Sequence, residues 1–200
     1  MKRVATSIAV GTVWLGSAGA ALAHPGHSHA GGGDHGFMSG LLHPLLGLDH
    51  LLAMVAVGLL AARVGGKAMW RLPATFLGAM CCGGVAARLG LELPMVEYGI
   101  GASVLVLGVL VAIGSPMPLR IGVPMIALFA WLHGAAHAGE MAASASTVVY
   151  FAGFLLATLA LHLGGAGGGL ALARLEWRKA FQYLGAGIAA ASVAILAGWI

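Results

Sequence analysis

Two groups of histidine and acidic residues lie inside apolar stretches of this chain, and side chains of these types bind transition metals. The first group is His43, Asp49 and His50, in the segment HPLLGLDH. His43 and His50 are seven residues apart, so at about 3.6 residues per turn they return to the same face of a helix. Asp49 is offset from His50 by about 100°, close enough to ligate the same ion or to orient a ligating ring. The alternative is the amphipathic start of a helix with interfacial histidines.

The second group shares one face of a single predicted helix: His133, His137 and Glu140, in LHGAAHAGE. Two histidines at i and i+4 are a common way for one helix to offer two imidazoles to one ion. Imidazole with carboxylate suits Ni²⁺, Co²⁺, Zn²⁺ and Mn²⁺, and argues against Cu(I), which prefers sulfur. Affinity trends do not separate nickel from cobalt, so the residues alone indicate only a divalent first-row metal.

Other ionisable residues are weaker candidates. Glu97 fits an interfacial carboxylate, an acceptor for a ligating ring, or a ligand. His162 fits an interfacial histidine or a ligand, with Thr158 one turn before it. Four more histidines stand in a polar, Gly-rich segment near the N-terminus: His24, His27, His29 and His35. Flexible imidazoles of this kind predict weak, exchangeable capture of ions at the mouth of a pore.

The composition places these residues in a membrane protein. Of the 200 residues, 60% are hydrophobic and only 8% are charged, with a mean hydropathy of +0.97. So few charges cannot cover the surface of a soluble domain. The formal charge is +4, but the cations sit in short clusters between apolar runs, which argues against nucleic-acid binding. Cys81 and Cys82 are adjacent and rarely form a disulfide in that arrangement, so small packing residues are favoured over a soft-metal role.

The elements that must position both groups are membrane-spanning helices. Residues 1–23 have the charged start, apolar middle and Ala-Leu-Ala ending of a signal peptide, and an uncleaved anchor is the alternative. Residues 24–37 form the polar histidine segment. Residues 38–200 predict an all-α bundle of six transmembrane helices of about 20 residues each. These run over 38–62, 72–91, 95–114, 119–139, 145–163 and 180–199.

Loop charges predict the orientation. With residue 24 outside, the inside connections carry seven cations and the outside connections carry only Arg88, in agreement with the positive-inside rule. The run GGAGGG at 164–169 then predicts a flexible cytoplasmic turn. Both metal-ligand groups lie in the outer half of the membrane and His162 lies near the cytoplasmic end. The predicted location is the bacterial inner membrane, with the mature N-terminus in the periplasm.

At these residues the chain resembles the HupE/UreJ family of nickel, and sometimes cobalt, permeases. The similar segments are HPLLGLDHLLAM at 43–54, VEYGIGASVLVLG at 96–108 and LHGAAHAGE at 132–140. The family patterns H-P-x-x-G-x-D-H and H-G-x-A-H-x-x-E match with no departure at a motif position. The resemblance implies ATP-independent nickel uptake that supplies hydrogenase or urease maturation. Nickel itself is supplied by the resemblance and not by the spacing.

Other functions fit the same ligands. An intramembrane zinc-dependent hydrolase would use them around a metal-bound water, a metal-loading partner or sensor would bind without flux, and an exporter would move the ion outward. We predict a transporter and not an enzyme, with no cofactor; its partners are the divalent metal substrate and the lipid bilayer. The sequence leaves open homo-oligomerisation, the coupling ion and the preference for nickel or cobalt.

Overall fold

The computed structural model describes residues 36–91, 93–114, 117–140 and 146–200. Every regular element in these ranges is an α-helix, which confirms the all-α prediction. The helices are α1 (Phe37–Leu46), α2 (Leu48–Val64), α3 (Ala68–Arg88), α4 (Val96–Ile113), α5 (Leu119–Glu140), α6 (Thr147–Arg174) and α7 (Arg178–Leu196). The predicted signal peptide at 1–23 and the histidine segment up to residue 35 lie outside the described residues and stay predictions.

The described helices include several that can cross a membrane. Four are long and apolar enough individually, namely α4, α5, α6 and α7, and α1 with α2 forms a fifth candidate as one broken span. α3, with 21 residues, is long enough to cross a membrane but is not among these candidates. Large apolar side chains face outward, as at Leu128, Leu156 and Leu163, which are 57%, 52% and 62% exposed. The protein is a multi-pass membrane protein, and the number of six spans stays a prediction.

The first predicted span is not continuous. Where the sequence predicted one helix over 38–62, α1 and α2 meet at an angle of 81°. The break lies at Gly47, whose backbone is extended (φ −80°, ψ 113°) and whose N–H donates to the His43 carbonyl, closing α1. Pro44 remains inside α1. The break therefore lies three residues after the proline, at the glycine.

The glycine run at 164–169 is helical, so the turn predicted there is wrong. α6 continues through it for 28 residues, a length of about 42 Å. Glycine costs a helix about 1 kcal/mol relative to alanine in water, but within lipid the helix satisfies its own backbone. The run also allows close packing, because a Cβ at Gly165 would collide with the backbone of Val55 on α2. The chain turns later, at 175–177.

α2 is the central helix and contacts α1, α3, α4, α6 and α7. Its residues between Ala53 and Ala62 are almost all buried. Around it, α3 packs along α5, α1 and α2 along α6, and α4 along α7. These contacts bury the polar residues of α2, α5 and α6 in the interior of the bundle.

Glycines bring α3 and α5 unusually close. A Cβ at Gly83 would overlap the Trp131 carbonyl, and a Cβ at Gly134 would overlap the Met80 carbonyl. In lipid, small residues at helix interfaces allow backbones to approach and gain van der Waals contact. Gly134 follows His133 directly, so this contact fixes the height and rotation of the histidine-bearing end of α5.

Candidate metal centre

Four histidine rings meet inside the bundle: His43 of α1, His50 of α2, and His133 and His137 of α5. We call these rings the imidazole cluster. Ring centroids are 4.1 Å apart for His50 and His137, and 4.6 Å apart for His43 and His137. They are 5.2 Å apart for His50 and His133, and 6.0 Å apart for His43 and His50. The structure thus brings histidines of both sequence groups into mutual contact.

The helices position the rings in two different ways. His133 and His137 share one face of α5, as their spacing predicted, and both are 0% exposed. His43 and His50 were predicted to share one face of one helix, and this is wrong because the break at Gly47 places them on α1 and α2. The 81° bend nevertheless directs both rings to the end of α5. His43 and His50 therefore meet the α5 histidines although they do not lie on one straight helix.

Asp49 orients the His50 ring. The Asp49 carboxylate accepts hydrogen bonds from the His50 backbone N–H at 2.8 Å and from His50 Nδ1 at 2.7 Å. An ionised carboxylate has no hydrogen to donate, so Nδ1 carries the proton and Nε2 carries a lone pair. His50 Nε2 is buried and has no hydrogen-bond partner among the described residues. Asp49 thus holds the orientation of the His50 ring, which fits one of the two roles that the sequence allowed it.

The His133 ring is fixed in the same way by a different acceptor. Its Nδ1 donates to the backbone carbonyl of Phe129, 2.8 Å away and one turn earlier on α5. A carbonyl only accepts, so His133 also presents Nε2 with a lone pair. Within the described ranges this atom is buried without a hydrogen-bond partner. A histidine whose second nitrogen is held by a carbonyl or carboxylate is the usual form of a metal ligand.

The rings do not surround an ion as they stand. Among the described residues, no group of three or more His, Cys, Asp or Glu side chains is arranged to hold a metal ion. The imidazoles instead pack on one another, with interplanar angles of 51° for His50 and His137 and 87° for His50 and His133.

Aromatic residues that the sequence did not single out line the cluster. Tyr150 and Phe154 of α6 contact His43, with centroid distances of 6.2 Å and 5.9 Å. Phe154 is also 4.2 Å from His137. The four-residue spacing of these aromatics, continued by Thr158, was a signal available in the sequence. Phe76 of α3, 5.5 Å from His133, had no such signal.

The remaining predicted site residues have different outcomes. Glu97 is exposed in the first turn of α4. Glu140 ends α5, and the position of its side chain lies outside the described structure. His162 is 0% exposed, so the interfacial alternative for it is wrong, because α6 extends well beyond it. The four N-terminal histidines belong to the part of the chain that is not described: His24, His27, His29 and His35.

Neither cysteine belongs to the imidazole cluster. Cys81 is half-buried and Cys82 is exposed on α3, and both are free thiols. The adjacent residues Gly83 and Gly84 are buried against α5 and Phe151. This arrangement agrees with a packing role for small residues on α3.

Comparison with known proteins identifies the family. Residues 12–195 match the family described as HupE / UreJ protein. The chain is 43% identical over 185 residues to "Protein HupE" of Rhizobium leguminosarum bv. viciae, covering 90% of this chain and 95% of the relative. No solved structure gives a significant match. The family consists of permeases and not enzymes, which excludes the hydrolase alternative, and the metal is a substrate and not a cofactor. The chain therefore belongs to the HupE/UreJ family and has a role related to nickel or cobalt transport.

Proposed function

We propose that this protein imports Ni²⁺, or Co²⁺, across the bacterial inner membrane, and that the imidazole cluster is where the ion is first dehydrated and bound. The observation that carries the proposal is the pair of Nε2 atoms of His50 and His133. Each is buried, each bears a lone pair because Nδ1 is held by an acceptor, and their rings are 5.2 Å apart. Nitrogen donors of this kind suit Ni²⁺ and Co²⁺.

His43 and His137 complete the proposed donor set. Both rings contact His50, at 6.0 Å and 4.1 Å between centroids. Glu140, seven residues after His133 on the same helix, is proposed as an acidic residue at the outer edge of the site. The four rings pack edge to face or tilted on one another, and we propose that this loose arrangement of donors suits a site that must release its cargo.

The proposed direction of transport rests on charge. Arg63, Lys67 and Arg71 surround the connection between α2 and α3, and Arg174 ends α6. If these ends face the cytoplasm, the imidazole cluster lies toward the periplasm, at the opposite ends of α2 and α6. The inside-negative membrane potential then favours inward movement by about 2.3 kcal/mol per elementary charge per 100 mV.

The decisive test is uptake of radioactive nickel by cells that express the wild type, His50→Ala or His133→Ala. Both variants should lose most uptake, with cobalt and zinc as competitors to measure selectivity. Gln182→Ala, an exposed position on α7, is the matched control and should behave as the wild type. Equal accumulation by all variants at equal membrane levels would reject the assigned site. Increased metal tolerance on expression, in place of increased sensitivity, would reject import.

A further inference from the structure

A second set of polar atoms is buried deeper along α6. His162 and Thr158 are both 0% exposed. Neither ring nitrogen of His162, nor the hydroxyl of Thr158, has a hydrogen-bond partner within the described ranges. A buried polar group left without a partner costs about 1–3 kcal/mol. Three such atoms lie about one turn apart on one helix, inside the bundle.

The pair is on the same face of α6 as a residue that lines the imidazole cluster. Phe154, Thr158 and His162 are spaced four apart, so they form one stripe along the helix, and all three are 0% exposed. Phe154 is 4.2 Å from His137. At about 1.5 Å rise per residue, His162 lies about 12 Å further along the helix axis than Phe154. The stripe therefore leads from the cluster into the bundle.

Phe76 of α3 contacts both the cluster and this deeper pair. Its ring centroid is 5.5 Å from His133 and 5.0 Å from His162, and the side chain is 0% exposed. A phenyl ring has no lone pair to offer a metal ion. A side chain that contacts both rings can therefore separate the two histidines without binding the ion itself.

We propose that His162 and Thr158 form a second, weaker binding station for the transported divalent cation, separated from the imidazole cluster by the Phe76 ring. This inference rests on the proposed function of the cluster. His162 supplies one imidazole nitrogen and Thr158 one hydroxyl oxygen, so the station has fewer strong donors than four imidazoles offer. A cation that reaches it exchanges several nitrogen ligands for one. It is thereby held loosely enough to continue inward.

Two measurements separate the stations: equilibrium titration of the purified protein in lipid nanodiscs with Ni²⁺, and Ni²⁺ flux in proteoliposomes. The wild type should show one strong and one weak binding step. In His162→Leu the weak step should disappear, and the Ni²⁺ affinity of the strong step should stay within about two-fold of the wild type. Flux should fall by about ten-fold or more. In Thr158→Val, which keeps the side-chain shape, the Ni²⁺ affinity of the weak step and the flux should each decrease by about three-fold. His50→Ala should lose the strong step and keep the weak one.

The control is Ser103→Ala on α4, which removes a buried hydroxyl that donates to the Ile100 carbonyl at 2.7 Å. It should leave both binding steps and flux unchanged. Normal flux in His162→Leu would overturn the inference, and so would loss of the strong step in that variant. If His162→Leu does not insert into the membrane, Thr158→Val decides, and an unchanged weak step with unchanged flux refutes the station. Retention of the strong step in His50→Ala would instead refute the proposed function of the cluster.

Discussion

The contact between Asp49 and His50 gives the sharpest prediction. Asp49 Oδ1 accepts two hydrogen bonds from His50, from the backbone N–H at 2.8 Å and from Nδ1 at 2.7 Å. Asp49→Asn keeps an oxygen that can accept both bonds but removes the negative charge. Asp49→Ala removes the acceptor as well. The two variants therefore separate the effect of charge on the imidazole from the effect of ring orientation.

The expected magnitude follows from the geometry. A hydrogen bond to a charged group contributes about 1.5–3 kcal/mol, and removing the carboxylate partner of a ligating histidine usually lowers metal affinity by about 10–100-fold. Asp49→Asn should lower Ni²⁺ affinity by about ten-fold, because the ring stays oriented and only its basicity falls. Asp49→Ala should lower Ni²⁺ affinity by about 100-fold, because the Nδ1 proton loses its acceptor and the ring can adopt the other tautomer.

Isothermal titration calorimetry with Ni²⁺ on protein in lipid nanodiscs measures both changes. Glu176→Gln is the matched control, since Glu176 is an exposed carboxylate in the turn after α6 and should leave affinity unchanged. Wild-type affinity in Asp49→Ala would show that Asp49 does not orient a ligand. Equal losses of Ni²⁺ affinity in Asp49→Asn and Asp49→Ala would show that only the charge of Asp49 matters and that the tautomer argument is wrong.

Three further predictions concern glycines and the N-terminal segment. Gly47→Ala places a Cβ 2.9 Å from His50 Nδ1 and 3.1 Å from Asp49 Oδ1, so Ni²⁺ affinity measured by calorimetry should fall by about ten-fold, and an unchanged value would contradict the close contact. Gly83→Ala drives a Cβ into the Trp131 carbonyl, so thermal melting in detergent should show about 1–3 kcal/mol of destabilisation. Gly78→Ala on the same helix has no atom within 4 Å of the new Cβ and should be neutral or stabilising, which a decrease in melting temperature would disprove. Deletion of 24–35 should raise the Ni²⁺ concentration for half-maximal uptake more than it lowers the maximal rate, whereas complete loss of uptake despite normal insertion would contradict a capture role.

The histidines that meet in the imidazole cluster could be singled out from the sequence. Histidines at 133 and 137 sit i, i+4 on one helix, and a helix of that length has a fixed periodicity whatever surrounds it. The ionisable residues also stand out because apolar surroundings make them costly. These arguments need only local geometry and composition, so the helical class and the choice of candidate histidines followed from the residues alone.

The path of the backbone was harder to predict. A glycine such as Gly47 permits a helix and also permits a break, and the sequence pattern alone predicted one continuous helix over 38–62. The five glycines and one alanine at 164–169 predicted a turn, but in the bundle they are helical, and Gly165 and Gly169 pack against α2. In both cases the outcome depends on neighbouring helices that are distant in the chain.

The sequence by itself determined that the protein is an apolar helical bundle carrying imidazoles and carboxylates, because composition and helical spacing are local properties of the chain. Only the tertiary structure decided that His43 and His50 approach α5 from two helices, and that Phe76 contacts both His133 and His162. Each of those facts is a distance between residues on different helices or an angle at a break. Such distances are set by how close the glycine-lined helices pack, and no pattern along a single helix records them.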